Sequence, residues 1–393
     1  MGAELCLFRA RRVFGTVLGL GVIAAALTGC GTVASSYGTI TTVAGRYVMG
    51  SQLKGPPYSG DGGPATQAVM WDPSCVAVDG SGNLFIGDIA NDVVRKVDGK
   101  TGIITTYAGT GTAGYSGDGG PAAKAMMSGP SDCAVDAAGN LYLADDGNNV
   151  VRRVDAASGI ITTVAGNGAD AGSSSGLFGG DGGAATSASI NHSFGVLVDP
   201  AGNLYISDTD NQRVRKVSAV TGIITTIAGT GGYGHSGDGG PATQAEFSRP
   251  AGLALDAAGN LYIADFGNND IRKIDAKSGI ISTVAGTGVT SGPQFSGDGG
   301  SATKAVLGSP QKVAVDRNGN IYVADWTENA VREVFASTGI IVRVAGSSVQ
   351  GYSGDGGPSA HAELSCPNGI AFDASGVMYI ADYANGVVRK VTP

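Results

Sequence analysis

The stretch Ser59-Gly60-Asp61-Gly62-Gly63 opens a phrase that returns five more times along the chain, with one residue of variation. The central aspartates are Asp61, Asp118, Asp181, Asp238, Asp298 and Asp355. Successive aspartates are 57, 63, 57, 60 and 57 residues apart. A nearly fixed period of this length indicates a repeat architecture, in which each period forms one structural unit.

Each period contains four short segments that favour β-strands. In the fourth repeat these are Gly252–Asp256, Leu261–Ala264, Ile271–Ile274 and Ile280–Val284, in which β-branched and aromatic residues are frequent. Asp, Asn and Gly separate the segments, and these residues favour tight turns. Four antiparallel strands in each of six units predict an all-β fold, a six-bladed β-propeller.

The two ends of the chain predict how the ring closes. The chain stops at Pro393, just after the sixth Val-Arg-Lys-Val phrase, so the last blade lacks its outermost strand. The missing phrase stands at the other end, in residues 38–45. We therefore expect the N-terminal strand to complete the last blade, which leaves only short, protected sheet edges.

The first 30 residues differ from the repeats. Three arginines precede an uncharged apolar run from Val13 to Leu27, a pattern typical of an export signal. The ending Leu27-Thr28-Gly29-Cys30 resembles the bacterial lipobox, which implies that Cys30 carries lipid after cleavage. An uncleaved membrane anchor is the alternative, but the run is short against the roughly 20 residues of a spanning helix.

These features divide the chain into three parts. Residues 1–29 are predicted to be a lipoprotein signal peptide, residues 30–37 the lipidated cysteine and its tether, and residues 38–393 the propeller. We expect a monomer in the cell envelope, held to the membrane through its N-terminal lipid on the periplasmic or cell-surface side. The formal net charge of −8 gives no basic stripe, so we do not expect nucleic acid as a partner.

Two cysteines fall on the first strands of adjacent predicted blades. Cys75 and Cys133 are one register step apart, so the two side chains should point to opposite faces of their own blades. The side chains therefore either meet in a disulfide, which an exported protein permits, or diverge as small buried residues.

The repeated phrases resemble those of the NHL repeat family, whose members form six-bladed propellers. The resemblance covers residues 38–393 and rests on Gly-Asn-Leu-Tyr-Ile-Ala-Asp, Pro-x-Gly-Ile/Val-Ala-Val-Asp and Asn-x-x-Val-Arg-Lys-Val. It specifies the fold but not the function, because the family includes lyases, receptor sensor domains and binding modules.

Slots that stay constant in all six repeats should serve the scaffold. The aspartate that ends each second strand and the arginine of each third strand are predicted to form six Asp–Arg pairs or turn caps. The aromatic residue before Ser-Gly-Asp is predicted to pin its loop to the blade. We place this long loop on the top rim of the propeller, the rim that carries the hairpins between second and third strands.

Variable slots on the top rim provide the candidate ligand-binding residues. Around the mouth of the central channel, side chains before and within the first strands form a mixed-charge ring of Asp72, Asp132, His192, Arg249 and Lys312. Just after the second strands of three consecutive blades come Phe266, Trp326 and Tyr383. Three neighbouring aromatics predict an exposed stacking platform for sugar or peptide, or alternatively a cover for each blade's own apex.

We therefore expect a non-catalytic binding or scaffolding propeller whose top face takes a protein, peptide or carbohydrate ligand without a cofactor. The alternative is a calcium-assisted hydrolase, lactonase or lyase at the channel mouth. The resemblance implies zinc held by histidines in the lyase branch, but the three histidines here occupy unrelated slots. For calcium, the mouth provides Asp72 and Asp132 as weak candidate ligands, together with Asn368.

Overall fold

A computed structural model describes residues 38–48, 58–169, 177–288 and 296–392, all within the compact unit Tyr37–Pro393. The predicted signal peptide and tether, including Cys30, lie outside the described residues. The described chain forms six four-stranded antiparallel sheets. The six-bladed β-propeller predicted from the repeat is therefore confirmed.

The strands follow the repeat in chain order. An N-terminal strand, β1 (Ile40–Ala44), precedes the blades. Blades 1 to 3 contain β2 (Pro73–Val78), β3 (Leu84–Asp88), β4 (Val93–Val97) and β5 (Ile104–Ala108); β6 (Pro130–Val135), β7 (Leu141–Asp145), β8 (Val150–Val154) and β9 (Ile161–Ala165); and β10 (Ser193–Val198), β11 (Leu204–Asp208), β12 (Arg213–Val217) and β13 (Ile224–Ala228). Blades 4 to 6 contain β14 (Pro250–Leu255), β15 (Leu261–Asp265), β16 (Asp270–Ile274) and β17 (Ile281–Gly286); β18 (Pro310–Val315), β19 (Ile321–Asp325), β20 (Ala330–Val334) and β21 (Ile341–Ala345); and β22 (Pro367–Phe372), β23 (Met378–Asp382) and β24 (Val387–Val391).

Single turns of 3₁₀-helix occur at two recurring places. One set lies in the long loop before each first strand, at Ala65–Gln67, Ala122–Lys124, Ala185–Ser187, Ala242–Gln244, Ala302–Lys304 and Ser359–His361. The other follows the second strand in five blades, at Ile89–Asn91, Asp146–Asn148, Thr209–Asn211, Phe266–Asn268 and Tyr383–Asn385. This second set lies on the top rim, in the hairpins between second and third strands.

Strand pairing closes the ring as the chain ends predicted. β1 pairs antiparallel with β24, so that Ile40 lies opposite Val391 and Thr42 opposite Arg389. The sheet order is β1-β24-β23-β22, which makes the N-terminal strand the outermost strand of blade 6. Each first strand contacts the first strands of both neighbouring blades, so these six strands surround the central axis.

Apolar side chains fill the junctions between blades. Six clusters of buried residues occur in the described chain, one at each junction. At the junction of blades 6 and 1, Ile86 and Ile104 of one blade pack with Val388 of the other and with Ala65 of the intervening 3₁₀ turn. The core is therefore divided among the junctions, as expected when each blade buries its faces against its neighbours.

The Ser-Gly-Asp-Gly-Gly loop does not stay on the top rim, and that expectation was wrong. In blade 1 the Gly62 amide donates to the carbonyl of Ile104 at 2.8 Å, and the Ala65 amide donates to the carbonyl of Gly102 at 2.9 Å. Gly102 belongs to the bottom turn between β4 and β5. The loop therefore descends along the outer edge of the blade and returns between two blades, because its backbone groups pair with the exposed edge of the fourth strand.

The constant aspartates and arginines form what we call the Arg–Asp clamp, one per blade. In blade 1, Arg95 is fully buried and lies 2.6 Å from Asp61 of the loop and 3.7 Å from Asp88 at the end of β3. The same arrangement recurs at Arg152, Arg215, Arg272, Arg332 and Arg389. The predicted Asp–Arg pairs are confirmed.

The second-strand aspartates also act as turn caps, the other reading of this slot. Asp88 accepts the amide of Trp71 at 2.7 Å, and Asp145 accepts the amide of Ser128 at the same distance. The predicted aromatic plugs lie over the clamp arginines: the Arg95 guanidinium is 5.0 Å from the Tyr58 ring centre. The repeated phrase thus fastens each long loop to its blade.

Cys75 and Cys133 form a disulfide, with Cα atoms 5.9 Å apart. The bond joins β2 of blade 1 to β6 of blade 2 and is buried on both sides. Of the two arrangements that the sequence left open, the structure shows the one in which the side chains meet.

Candidate functional site

The two sets of variable residues on the top rim meet at the junctions between blades. The Asp146 carboxylate, after β7, lies 3.1 Å from His192, which precedes the first strand of the next blade. Tyr383, after β23, shares a hydrogen bond with Asp72, which precedes β2. We call these two sets the mouth ring: Asp72, Gly129, His192, Arg249, Ser309 and Cys366 before the first strands, and Ile89, Asp146, Thr209, Phe266, Trp326 and Tyr383 after the second strands.

Backbone contacts hold the first set of the mouth ring in an unusual conformation. Asp72, His192, Arg249, Ser309 and Cys366 all have positive φ, between 48° and 58°. At five junctions the side chain of the residue before a third strand accepts a hydrogen bond from the backbone amide of the ring residue in the next blade; the clasped residues are Gly129, His192, Arg249, Ser309 and Cys366. Examples are His192 N–H to Asn149 at 2.9 Å and Arg249 N–H to Gln212 at 2.6 Å.

This clasp contacts only the backbone of the ring residue, so the side chain at the position can vary. A left-handed conformation costs a residue other than glycine about 1–2 kcal/mol. Gly129 occupies the same position in blade 2 and avoids that cost. The other five blades nevertheless carry a side chain there.

Charged residues of the mouth ring cluster between blades 2 and 4. His192 Nδ1 faces both oxygens of Asp146, at 3.1 and 3.3 Å. Arg249 Nε lies 3.2 Å from Asp210, the residue that follows Thr209. Hydrogen bonding to Asp146 raises the pKa of His192, and burial raises the pKa of Asp146.

Phe194 lies inside this charged cluster, and sequence analysis missed it. Its ring centre is 6.3 Å from that of His192, and the Arg249 guanidinium is 5.7 Å from the same ring. The signal was available, because the corresponding residues in the other blades are Ser74, Ser131, Ala251, Gln311 and Asn368. Phe194 is the single aromatic residue in that slot.

The opposite side of the mouth ring is aromatic but not exposed. Trp326 is only 5% exposed, and its ring centre lies 4.9 Å from that of Tyr383. Phe266 is half-buried. The predicted exposed platform of three aromatics is therefore wrong for Trp326, because the tryptophan packs into the junction of blades 5 and 6 and leaves Tyr383 as the more accessible ring.

Asp72 sits beside Tyr383 in a half-buried position. Burial raises the pKa of Asp72 to about 6, although the hydrogen bond with Tyr383 opposes the shift. Burial also raises the pKa of Tyr383 above its ordinary value. Burial thus favours the uncharged form of both groups in this carboxyl–phenol contact.

Two of the predicted mouth residues instead bridge the channel. Lys312 Nζ lies 2.7 and 2.6 Å from the two oxygens of Asp132, although one residue belongs to blade 5 and the other to blade 2. Asp132 also accepts the backbone amide of Val196 at 2.9 Å. Both side chains are largely buried, at 13% and 5% exposure, so this cross-channel ion pair obstructs the axis of the propeller.

The two carboxylates considered for calcium have different partners. Both oxygens of Asp132 receive the Lys312 ammonium, which already neutralises the charge, and Asp72 pairs with Tyr383. Within the described ranges, no group of three or more His, Cys, Asp or Glu side chains is arranged to hold a metal ion. His192, His235 and His361 occupy separate blades or loops, as their unrelated slots predicted.

Comparison with known proteins agrees with the repeat and the ring. The model of the Teneurin NHL domain matches residues 231–295, and the model of the NHL repeat matches residues 307–330. With six four-stranded blades closed by the N-terminal strand, the protein is a β-propeller of the NHL type. Two segments of the chain thus match models of NHL repeats.

Relatives of known sequence are much longer than this chain. Protein SUPPRESSOR OF QUENCHING 1, chloroplastic, of Arabidopsis thaliana is 27% identical over 330 residues, 81% of this chain and 30% of that protein. Teneurin-3 of Danio rerio is 31% identical over 222 residues, 51% of this chain and 8% of that protein. The chain thus spans less than a third of the curated relatives it matches here.

Solved structures show the same fold at low sequence identity. An auxiliary nutrient binding protein from Bacteroides thetaiotaomicron has a TM-score of 0.64 at 16% identity, covering 90% of this chain and 76% of that one. A gluconolactonase of Xanthomonas campestris has a TM-score of 0.52 at 14% identity, covering 82% and 88%. In the part of the chain that the structure describes, no helix has the length and apolar character needed to cross a membrane.

Proposed function

We propose that the protein is a non-catalytic binding propeller that takes a protein, peptide or carbohydrate ligand at the mouth ring. The observation that carries this proposal is the conformation of the ring itself. Five residues keep a side chain at positive φ although glycine occupies the same position in blade 2. Strain of this kind concentrates at functional sites, where the rest of the structure holds it in place.

The closed channel supports a surface site over a through-channel. The cross-channel ion pair of Asp132 and Lys312 occupies the axis below the mouth ring. A ligand would therefore rest on the top face, between the charged side near Phe194 and the aromatic side near Tyr383. The fold it shares with nutrient-binding proteins is compatible with a binding role.

The proposal is tested by screening peptide and glycan arrays with the purified propeller and with paired variants. Phe194→Ala combined with Tyr383→Ala removes one accessible ring from each side of the mouth. Lys277→Ala is the matched control, since Lys277 is exposed on a bottom turn. We expect the double variant to lose at least tenfold in affinity for any captured ligand and the control to lose none; equal binding by all three proteins refutes the site.

We further propose that the protein is anchored in the cell envelope by lipid on Cys30, as the lipobox-like sequence suggests. The test is metabolic labelling with a radioactive fatty acid, followed by separation of membranes. We expect the native chain to carry label and to sediment with membranes, whereas Cys30→Ser carries none. Label retained by Cys30→Ser contradicts the assignment.

A further inference from the structure

One part of the mouth ring contains Arg249, whose two terminal guanidinium nitrogens are available to a ligand. Arg249 Nε lies 3.2 Å from an oxygen of Asp210 without a hydrogen bond to it, and the arginine side chain is 34% exposed. Among the described residues, the two terminal nitrogens of the guanidinium have no hydrogen-bond partner. Two parallel N–H groups on a planar fork match the two oxygens of a carboxylate.

His192 lies close to Arg249 in the same part of the mouth ring. Its Nδ1 faces Asp146 at 3.1 Å, while its Nε2 has no partner among the described residues. Phe194 lies near both groups, since its ring centre is 5.7 Å from the Arg249 guanidinium carbon and 6.3 Å from the His192 ring centre. Both nitrogen-bearing groups therefore lie close to one aromatic ring at the mouth of the propeller.

The charges of this cluster select among anions. Asp146 and Asp210 each stand beside one of the two cationic groups, so the cluster has almost no net charge when His192 is protonated. A dianionic phosphate carries twice the charge of a carboxylate, so the two aspartates repel it more strongly. A carboxylate carries only one negative charge. It also accepts two parallel hydrogen bonds from the Arg249 guanidinium, and such charge-assisted pairs are among the strongest hydrogen bonds in proteins.

We propose that Arg249, His192 and Phe194 form a carboxylate-binding subsite of the mouth ring, in which Arg249 grips the carboxylate and His192 donates through Nε2. This inference rests on the proposed binding function and names the chemistry that the ligand must carry. The carboxylate can come from a uronic acid or from the C-terminus of a peptide.

Binding should depend on pH through His192. The groups that face this histidine are Asp146, Asp210 and Arg249, and the hydrogen bond to Asp146 raises its pKa. Nε2 carries a proton to donate when the ring is cationic, so affinity should fall as pH rises through the histidine pKa. In His192→Gln that pH dependence should disappear.

The experiment is a nuclear magnetic resonance titration of the propeller with four probes: glucuronate, glucose, the peptide acetyl-Gly-Gly with a free carboxylate, and inorganic phosphate. The signals followed are those of the His192 ring and the Trp326 indole. We expect glucuronate or the peptide to shift His192, and the stronger of the two identifies the source of the carboxylate. Glucose and phosphate should bind at least tenfold more weakly.

Variants distinguish a two-pronged hydrogen bond from Arg249 from attraction by any positive charge at that position. Arg249→Ala and Arg249→Lys should each weaken the carboxylate probe by about 10- to 100-fold, the range for a hydrogen bond to a charged group. Arg317→Ala is the control, since Arg317 is an exposed arginine whose contact is to the carbonyl of Ser375. Circular dichroism melting checks that each variant is folded, and His192→Gln provides an independent second variant.

Each result decides the question. Phosphate or glucose equal to the carboxylates, or an Arg249→Ala variant that binds normally, overturns the subsite. If the array ligand of the proposed function shifts Trp326 while no carboxylate shifts His192, the mouth binds ligand without a carboxylate subsite. If no ligand shifts either signal, the proposed function fails as well.

Discussion

Replacing Lys312 with methionine removes the cation from the cross-channel pair while keeping most of the side-chain volume. In the native protein the Asp132 side chain is 5% exposed, and besides Lys312 the backbone amide of Val196 donates a hydrogen bond to it. Removing one partner of a buried ion pair costs about 3–5 kcal/mol, because the remaining charge is neither solvated nor neutralised. We expect Lys312→Met to lose stability within that range.

The size of the effect comes from the pair and not from either residue alone. Asp132→Asn should also destabilise, since it leaves the Lys312 ammonium buried. The double variant Asp132→Asn, Lys312→Met has no buried charge at the axis, and replacing both partners of such a pair is often close to neutral. We therefore expect a coupling energy of at least about 2 kcal/mol between the two sites.

Urea unfolding of the native chain, both single variants and the double variant measures this coupling. The control is the surface pair Arg153 and Asp155, whose side chains are 30% and 35% exposed. An exposed pair contributes about 0–1 kcal/mol, so the control cycle should give little. If the Lys312 and Asp132 cycle gives no more coupling than the control, the two residues do not pair across the channel and the argument for a closed axis is refuted.

Three further outcomes are expected. Deleting residues 38–45 removes β1 and exposes the edge of β24. The melting temperature should therefore fall far more than after removal of a few terminal residues. Reducing the bond between Cys75 and Cys133, or replacing both with serine, should lower the free energy of unfolding in urea by about 3–4 kcal/mol. The bond closes a loop between two residues that are 58 positions apart in the sequence. Asp72→Asn should stabilise the protein above pH 6 and make little difference below pH 4. The pKa of Asp72 is raised to about 6 in the folded protein, so the native carboxyl loses stability as pH rises and it ionises, whereas asparagine stays neutral. Asp98, on a bottom turn, is the control for that pH series: hydrogen bonds from Thr101 lower its pKa, so Asp98→Asn should lose stability at high pH instead of gaining it.

The architecture was predictable because its signals are local and repeated. Turn residues, strand segments and the fixed period recur in every unit, and the phrase missing at Val391 reappears at Ile40. Strand pairing between those two residues confirms the closure. The Arg–Asp clamp was predictable for the same reason, since a pair needed in every blade leaves the same residues in every repeat.

The course of the long loop was not predictable from these signals. Both ends of the loop lie at the top rim, so the sequence favoured a loop that stays there. The hydrogen bonds that draw it down the blade come from backbone groups of Gly62 and Ala65, and backbone groups leave no mark in the residue pattern. Glycine marks the turns, but not the strand edge that the turns will cover.

The contacts that define the mouth depend on distance through space. Asp132 and Lys312 are 180 residues apart, and the ring places them opposite each other only after it has closed. Sequence comparison identified both as unusual in their slots but could not pair them. Trp326 shows the reverse error: an aromatic residue at an apex looks accessible until the neighbouring blade covers it.

Separate parts of each repeat therefore carry stability and recognition. The clamp holds the third-strand Arg95 and its five equivalents against a loop aspartate, Asp61 in blade 1, which bonds to the outermost strand of the blade. At the mouth, the clasp between Gln212 and the amide of Arg249 uses a side chain of one blade and the backbone of the next. Because neither contact involves the side chain of the mouth residue, that side chain can change from Arg249 to Ser309 in the adjacent blade without disturbing the ring. A repeat protein built in this way can acquire a binding site through single substitutions at the mouth, and the residues that break the repeat there mark where its ligand contacts should be sought.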